Sequence, residues 1–116
     1  MGQLTGRAFI TVAGKRLASK PGAKLDIGAT ERTGEVGDSG VLGYTEKLGI
    51  PSVECEIPHD ANTSLQEYAD MVDVTISFDT DSRRSYVLRN GWRAGKIVLD
   101  KGVVSLRFEA MSCEEV

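Results

Sequence analysis

The fold is decided by the stretch SVECEI, residues 52–57, in which polar and apolar side chains alternate at every position. Successive side chains of a β-strand point to opposite faces of the sheet, so Val53, Cys55 and Ile57 share one face. A strand with one apolar and one charged face packs against a core on one side only. The stretch therefore predicts an antiparallel sheet buried on one face, with Cys55 as a buried and inert thiol.

The same period of two recurs on both sides of this stretch. Short alternating or apolar runs lie at residues 7–12, 15–17, 23–27, 74–78, 85–89, 97–99 and 103–109. Turn signals separate them at Ala13-Gly14, at residues 79–84, at Asn90-Gly91 and at Asp100-Lys101-Gly102. Together with residues 52–57, these runs predict about six to eight short strands.

One helix is expected between Pro58 and Val74. Thr63 and Gln66 stand three residues apart as a capping box. Apolar side chains then follow at helical spacing, at Leu65, Tyr68, Ala69 and Val72. A short helix over residues 63–72 with one apolar stripe suits packing on the edge or end of a sheet.

The length and the element pattern indicate the fold class. A chain of 116 residues has the usual length of a single domain and can bury a core without disulfides or metals. We expect a single domain over residues 1–116 of mainly β (α+β) class. Its architecture is an antiparallel β-sandwich or barrel with one short flanking helix, since no repeated βαβ unit is present.

Charge and hydropathy exclude several function classes. The 14 Lys and Arg stand against 17 Asp and Glu, a net charge of −3, which argues against a protein whose main work is holding nucleic acid phosphates. No apolar run approaches the roughly 18 residues needed to span a bilayer, and the first residues lack a charged segment followed by an apolar one. The sequence predicts a soluble chain with no membrane partner and no signal peptide.

Residues 28–51 do not follow the strand pattern. Glycine recurs at every third position, at Gly34, Gly37, Gly40 and Gly43, among charged residues. Collagen would need proline, and a phosphate-binding loop would need a preceding strand and a following helix, so neither explains the glycines. A connection of this length without its own core is uncommon in a compact domain. We expect an extended Gly-rich loop that is either mobile or ordered by a partner.

No set of residues forms a catalytic or metal site. Cys55 and Cys113 are far apart in the sequence with no C-x-x-C spacing, and the single histidine, His59, lies in a polar turn. Pairs of acidic residues two positions apart are explained by exposed strand faces, and no Gly-x-Ser-x-Gly elbow is present. The sequence predicts a protein that is not an enzyme and has no catalytic, cofactor-binding or metal-binding residues.

A basic cluster leaves two interpretations open. Arg83, Arg84, Arg89 and Arg93 are interleaved with Tyr86 and Trp92, a combination found on surfaces that bind single-stranded nucleic acid. Two aspartates lie beside the cluster, however, and Arg is common at protein interfaces, where it pairs with carboxylates. The protein interface is the favoured interpretation.

One long motif resembles a known family. The run GDSGVLGYTEK at residues 37–47, followed by PSVEC at 51–55, is similar to the central motif of the tail tube proteins of Mu-like contractile-tailed phages. GRAFI at 6–10, TISFDT at 75–80 and YVLRNGW at 86–92 support the likeness in the same order. The resemblance therefore covers nearly the whole chain.

This resemblance implies a structural role in a virion. It implies a subunit that forms hexameric rings, which stack into the inner tail tube inside a contractile sheath. The expected partners are further copies of the chain and the sheath, baseplate, tape-measure and tail-terminator proteins. DNA passes through such a tube without specific binding, and the tail assembles in the cytoplasm of a bacterial host.

Three groups of residues become candidate contacts under this resemblance. Candidates for inter-ring or inter-subunit contacts lie in the Gly-rich loop: Glu31, Arg32, Glu35, Asp38, Tyr44, Glu46 and Lys47. Candidates for a lumen-facing acidic group, which would repel DNA phosphates, are Glu54, Glu56, Asp79 and Asp81. Arg83 and Arg84 are candidates for a basic interface.

Two rival interpretations are compatible with the sequence. A small β-barrel could bind an apolar ligand, with the Gly-rich stretch as its lid. A tube subunit of a phage-tail-like bacteriocin or injection system would show the same features as a phage tube subunit. An enzyme is the least supported class.

Overall fold

The computed structural model describes residues 6–61 and 63–116, which form eleven β-strands and one short α-helix. The strands are β1 (Ala8–Val12), β2 (Lys15–Leu17), β3 (Lys24–Asp26), β4 (Glu31–Gly37), β5 (Gly40–Lys47), β6 (Ser52–Pro58), β7 (Val74–Thr80), β8 (Ser85–Arg93), β9 (Val98–Asp100), β10 (Val103–Glu109) and β11 (Ser112–Glu115). The helix α1 (Leu65–Ala69) lies between β6 and β7 in the chain. The predicted mainly β, antiparallel fold class is confirmed.

Nine of the strands form one sheet whose two halves meet at β8. The order is β2-β1-β7-β8-β10-β6-β3, with β11 beside β8 and β9 beside β10. β8 pairs with β7 up to Gly91 and with β11 up to Arg89, and it pairs with β10 through Trp92 and Arg93. The order begins at β2 and ends at β3, so the described strands do not close into a barrel. Of the two predicted architectures, the sandwich describes the molecule.

Buried side chains from both halves form one hydrophobic core. The alternation in β6 is confirmed, because Val53, Cys55 and Ile57 are all buried. Ile10, Val12, Ile76 and Leu88 come from the first half, and Val104, Leu106 and Phe108 come from the second. Phe108 is the largest of the fully buried side chains, and truncation of such a residue to alanine costs about 3–5 kcal/mol.

β8 continues through a point where the sequence predicted a turn. Asn90 has a φ of 54°, and the pairing of β7 with β8 shifts register between Val74 and Ile76. A bulge of this kind bends a strand without ending it. The bulge lies just before Trp92 and Arg93, the part of β8 that pairs with β10. The prediction of a turn at Asn90-Gly91 was therefore wrong.

The N-cap of the helix lies one residue later than predicted. Ser64 is the N-cap, and its hydroxyl accepts a hydrogen bond of 3.2 Å from the backbone N–H of Glu67. The predicted cap, Thr63, instead donates its hydroxyl to Asp60 at 3.1 Å. Thr63 and Ser64 both carry a hydroxyl group that can cap the helix. Thr63 is engaged by the turn that precedes the helix, so Ser64 is the cap.

The helix is also shorter than predicted. It ends at Ala69, so Val72 lies beyond it and is 71% exposed, although the sequence placed it on the apolar stripe. Tyr68 is the buried residue of the helix, and Leu65 packs against the core at its edge. No helix among residues 6–61 and 63–116 has the length and apolar character needed to cross a bilayer.

The C-terminal strand β11 is absent from the sequence prediction, because its residues, SCEE, show no apolar alternation. It pairs along β8, where Arg89 forms an ion pair with Glu114 at 3.2 Å and Arg84 with Glu115 at 3.3 Å. Exposed ion pairs contribute about 0–1 kcal/mol each. The backbone ladder is therefore the main contact that holds β11.

Residues 28–51 form a projecting β-hairpin, called the arm below. β4 and β5 pair with each other and with no other described strand. Where the sequence analysis expected an extended Gly-rich loop, the chain forms two paired strands. With β11, these strands bring the predicted six to eight up to eleven. The radius of gyration is 17.1 Å, compared with about 13–14 Å for a compact chain of this length.

Candidate assembly surfaces

The arm joins the body at a tightly packed base. Gly28 has a φ of 74°, and a Cβ there would lie 2.5 Å from the ring of Pro51. A Cβ on Gly49 would lie 2.6 Å from the carbonyl oxygen of Ala29. The N–H of Gly28 also donates to Oδ1 of Asp26 at 2.9 Å, at the end of β3. Glycine is required at both positions, so the two strands of the arm leave the body in a defined geometry.

Polar contacts connect the two strands of the arm. Arg32 Nε donates to Glu46 Oε1 at 3.2 Å, and its guanidinium carbon lies 5.9 Å from the centroid of the Tyr44 ring. Glu31 and Lys47 face each other in the register. All these groups are exposed, and such contacts contribute at most about 1 kcal/mol each. The arm is therefore held by its ladder and by weak surface contacts, without a core of its own.

The outer part of the arm exposes apolar side chains. Val36 and Val41 oppose each other and are 76% and 79% exposed. Leu42, the extra residue at a bulge, is 74% exposed. Seven of the twelve exposed large hydrophobic residues in the described chain lie within residues 27–50. Concentrated exposed apolar surface of this kind marks an interaction site.

All seven residues predicted for inter-subunit contact lie in the arm and are exposed: Glu31, Arg32, Glu35, Asp38, Tyr44, Glu46 and Lys47. Arg32 and Glu46 neutralise each other. Glu35 and Asp38, near the tip, form no ion pair with any residue that the structure describes. The tip of the arm is therefore both apolar and acidic.

Glu54 and Glu56 lie on the outer face of β6. In the register Glu54 stands between Lys24 of β3 and Arg107 of β10, and Arg107 forms an ion pair with it. Glu56 faces Ser105 and is exposed. Because two cations flank Glu54, Glu56 is the more strongly negative position of this pair.

Asp79 and Asp81 belong to the other half of the sheet. Asp79 faces Phe9 across the β1–β7 ladder. Asp81 follows β7, and its Oδ1 accepts a hydrogen bond of 3.0 Å from the backbone N–H of Gly6. The four predicted acidic residues are all at least partly exposed, but they lie as two pairs on two different halves of the sheet.

The predicted basic cluster is divided among contacts within the chain. Arg84 and Arg89 pair with the two glutamates of β11. Arg93 donates to the backbone carbonyl of Ala69 at the end of α1. Arg83 is exposed in the turn before β8. Arginines engaged by carboxylates and carbonyls favour a structural or interface role over a nucleic acid surface.

Within residues 6–61 and 63–116, no three His, Cys, Asp or Glu side chains are placed to hold a metal ion. His59 is exposed, and its backbone N–H donates to the carbonyl of Gly102 at 2.9 Å. Burial, with a smaller effect of the neighbouring Glu56, raises the pKa of the Cys55 thiol to about 11. Burial likewise raises the pKa of Cys113. Neither thiol is activated as a nucleophile.

A groove beside β1 and β2 is a feature that sequence reasoning missed. It has a volume of about 640 Å³. It is lined by apolar side chains, among them Phe9, Leu17 and Phe78, and by three cations, Arg7, Arg16 and Lys20. No acidic residue of the described chain lines it. We call it the basic groove. Its walls come from β1, β2 and the connection at residues 18–23, so only the tertiary arrangement brings its three cations together.

Curated relatives match along the whole chain. The family model for the phage tail tube protein matches residues 1–115. The tail tube protein of Escherichia phage Mu is 33% identical over 114 residues, covering 98% of this chain and 96% of the relative. The Mu-like prophage FluMu tail tube protein of Haemophilus influenzae is 31% identical over 116 residues, covering 98% and 97%.

Solved structures share the fold. A chain from the PVC sheath/tube terminator of an extracellular contractile injection system has a TM-score of 0.64 at 10% identity, covering 95% of this chain and 93% of that one. A chain from the PVC sheath-tube complex has a TM-score of 0.59 at 11% identity, covering 96% and 88%. At these identities the likeness concerns the fold alone. Taken with the full-length match to the family model and to relatives above 30% identity, the chain belongs to the phage tail tube protein family, whose members are structural proteins and not enzymes.

Proposed function

We propose that the chain forms hexameric rings that stack into the inner tube of a contractile tail, and that DNA leaves the virion through this tube. The arm is the observation that carries the proposal. It projects from the body, pairs with no other described strand and exposes its apolar side chains. Such a surface is stabilised when another subunit covers it.

The arm supplies the contact between rings in this proposal, through Glu31, Arg32, Glu35, Asp38, Tyr44, Glu46 and Lys47. A projecting element that docks on a different surface of the next copy makes a head-to-tail contact, and contacts of that kind propagate along an axis. Stacked rings need this type of interface. An isologous contact between two arms would stop at a dimer.

The lumen is the proposed location for some of Glu54, Glu56, Asp79 and Asp81. Carboxylates on the wall of a channel repel the phosphates of DNA in transit, so DNA passes without specific binding. Each subunit carries a net charge of −3, and this charge is multiplied by the number of copies around the channel. Glu56 is favoured over Glu54, whose charge Lys24 and Arg107 offset.

Sheath and tail-terminator proteins are the proposed partners outside the tube and at its end, and Arg83 and Arg84 are candidates for such an interface. Support comes from the neighbours of similar fold, which are chains of a sheath-tube complex and of a sheath/tube terminator. Contacts with baseplate and tape-measure proteins, and assembly in the cytoplasm of a bacterial host, complete the proposal.

A tube subunit of an injection system or of a phage-tail-like bacteriocin is the second candidate function. The observation in its favour is that two neighbours of similar fold come from an extracellular contractile injection system. A small ligand-binding barrel is less supported, because the described strands form no closed barrel.

Shortening the arm tests the proposal. Glu31 and Lys47 face each other in the register, so replacing residues 32–46 by Asn-Gly closes the stump with a favoured two-residue turn. We expect the unmodified chain to form tubes in negative-stain micrographs and the shortened chain to form none. A matched control replaces Lys101-Gly102, the turn between β9 and β10, by Asn-Gly and should form normal tubes. Tubes of unchanged length from the shortened chain would contradict the proposal.

A further inference from the structure

We infer that the basic groove is the site where the arm tip of a second copy of this chain docks. This inference rests on the proposed function, because it names the surface that receives the arm. The groove side is defined by Arg7, Phe9, Arg16, Leu17, Lys20 and Phe78. The arm tip is defined by Glu35, Val36, Asp38, Val41 and Leu42.

The two surfaces carry charges of opposite sign. Arg7, Arg16 and Lys20 form no ion pair with any described residue, and the same holds for Glu35 and Asp38. Elsewhere on the described chain, the pairs Arg84–Glu115 and Arg89–Glu114 show arginines already engaged by acids. The groove and the tip therefore hold charges that no opposite charge of the described chain neutralises, although the Arg16 guanidinium stacks on Phe9. Such charges fix the register of an interface.

The apolar groups also match. Val36, Val41 and Leu42 are each at least 74% exposed on the tip. The groove is lined by the partly buried Phe9, on which Arg16 stacks with its guanidinium carbon 4.4 Å from the ring centroid. The largely buried Leu17 and Phe78 lie in the same lining. A docked tip would bury its apolar side chains against this floor while its carboxylates reach the cations at the edge.

The positions of the two surfaces favour a second copy over the chain's own arm. The N–H of Lys20, in the wall of the groove, donates to the carbonyl of Glu56 at 2.7 Å, near the end of β6. The base of the arm lies at the other end of β6, where Pro51 packs against Gly28. The groove and the base of the arm thus lie toward opposite ends of β6. This arrangement produces a head-to-tail contact.

An open strand edge strengthens the match. β2 ends at Leu17, opposite Ile10, whereas β1 continues to Ala8. In a hairpin with a two-residue turn, every second residue directs its N–H and C=O toward the partner strand. Ile10 and Val12 do so toward β2, and Ala8 therefore directs the same groups past the end of β2 into the groove. No described strand covers this edge, which is available to the backbone of an arriving arm.

Charge reversal on each side tests the inference. One variant carries Arg16→Glu and Lys20→Glu, and a second carries Glu35→Lys and Asp38→Lys. Each should lower the amount of tube pelleted at a fixed concentration by about tenfold or more, because like charges then meet across the contact. The chain carrying all four substitutions should recover tube formation, since opposite charges meet again. Lys96→Glu with Lys101→Glu makes the same change of charge at two residues that do not line the groove, and it should have little effect.

The outcomes separate this inference from the proposed function. If the unmodified chain forms tubes and either reversed variant forms them equally well, the groove is not the docking site, although the tube function stands. Loss of tubes in both reversed variants without recovery in the four-fold variant also overturns the inference. Failure of the unmodified chain to form tubes would overturn the proposed function and, with it, the inference.

A cross-link provides a readout that does not depend on altered charge. In a Cys113→Ser background, Ser39→Cys places a thiol at the arm tip and Ala18→Cys places one in the groove. We expect a disulfide between subunits in oxidised tubes, and none when Ser105→Cys, on the outer face of β10, replaces the groove thiol. A further variant adds Gln3→Cys to the chain that carries Ala18→Cys and Ser39→Cys. A disulfide from Ala18→Cys to Gln3→Cys of the same chain, formed in place of the disulfide to Ser39→Cys, would show that another segment occupies the groove. That result would contradict the inference.

Discussion

At the scale of single residues, the molecule depends on a few close approaches. Gly91 lies at the bend of β8, where a Cβ would stand 2.5 Å from Cδ1 of Ile76 and 3.1 Å from the carbonyl oxygen of Glu109. One of these neighbours is backbone, which cannot move without disturbing the ladder. The bend that connects the two halves of the sheet therefore requires glycine.

Gly91→Ala should lower the free energy of unfolding by about 1–3 kcal/mol, the usual cost of overpacking a core. Urea denaturation of the free subunit measures it as a lower midpoint at unchanged slope. The matched control is Gly34→Ala in the arm, where the new methyl group meets open space, and it should leave the midpoint unchanged. Equal midpoints for both variants would show that the bend tolerates a side chain.

Cys55 should resist alkylation in the folded chain. The variant Cys113→Ser leaves Cys55 as the sole thiol, and we expect iodoacetamide to label it at pH 8 only on unfolding, because the thiol is buried with its pKa raised to about 11. Labelling at the rate of the unfolded chain would contradict the burial of Cys55.

The raised pKa of Cys55 also makes the stability of the fold depend on pH. The unfolded thiol titrates near 9.0, so unfolding releases a proton above that pH. Stability should fall as the pH rises from 9.0 to about 11.

Much of the residue-level detail could be predicted from the sequence. The alternation over residues 52–57 placed Val53, Cys55 and Ile57 in the core correctly, because a period of two leaves only one way to bury a strand face. The helix cap was assigned one residue early, since Thr63 and Ser64 are chemically equivalent as caps. Only the hydrogen bond between Thr63 and Asp60 in the preceding turn decides between them.

At the scale of elements, the arm is the least supported part of the fold. An isolated two-stranded hairpin is marginally stable in water, and no described strand outside the arm pairs with it. Amide hydrogens of residues 31–47 should therefore exchange rapidly in the free subunit, while those of β6, β7 and β10 exchange slowly.

Tubes should protect the same amide hydrogens, because a neighbouring subunit then covers the arm. Hydrogen exchange followed by mass spectrometry on free and polymerised protein measures the difference, with β6 as the internal control. Strong protection of the arm in the free subunit, or no gain of protection in tubes, would contradict the proposed role of the arm.

The base of the arm should be sensitive to substitution. Gly28→Ala adds a methyl group 2.5 Å from Pro51 at a φ of 74°, so the new side chain is strained and must displace the ring. We expect this variant to fold but to misdirect the arm and reduce tube formation. Gly43→Ala is the control, since it also has a positive φ, 147°, but meets open space. Tube formation by Gly28→Ala at the level of the unmodified chain would show that the geometry of the base does not matter.

The sequence could not predict the arm as two strands for a physical reason. Strand prediction relies on one buried face, and both faces of β4 and β5 are exposed except at Gly37. β11 was missed for a related reason, because Cys113 is its one residue that packs against the core, and its pairing with β8 depends on the tertiary register. The candidate contact residues all lie in the arm and are exposed, but their pairing with one another, such as Arg32 with Glu46, depends on the register.

At the scale of the whole molecule, the chain combines a two-halved sandwich with an arm at one end and a basic groove at the other. The groove could not be predicted from the sequence, because Arg7, Arg16 and Lys20 come from three separate segments. An acidic, apolar tip and a basic, apolar groove at opposite ends are suited to a polar, repeating assembly. The molecule is therefore organised for stacking along one axis.

The most direct test of the central claim is a cryo-electron microscopy map of the polymer formed by the purified chain. The account predicts hollow tubes of stacked rings with six subunits per ring, each arm contacting the next ring, and some of Glu54, Glu56, Asp79 and Asp81 on the inner wall. A uniform monomer at high concentration, or a tube in which the arms project into solvent and all four acidic residues lie on the outer wall, would contradict it.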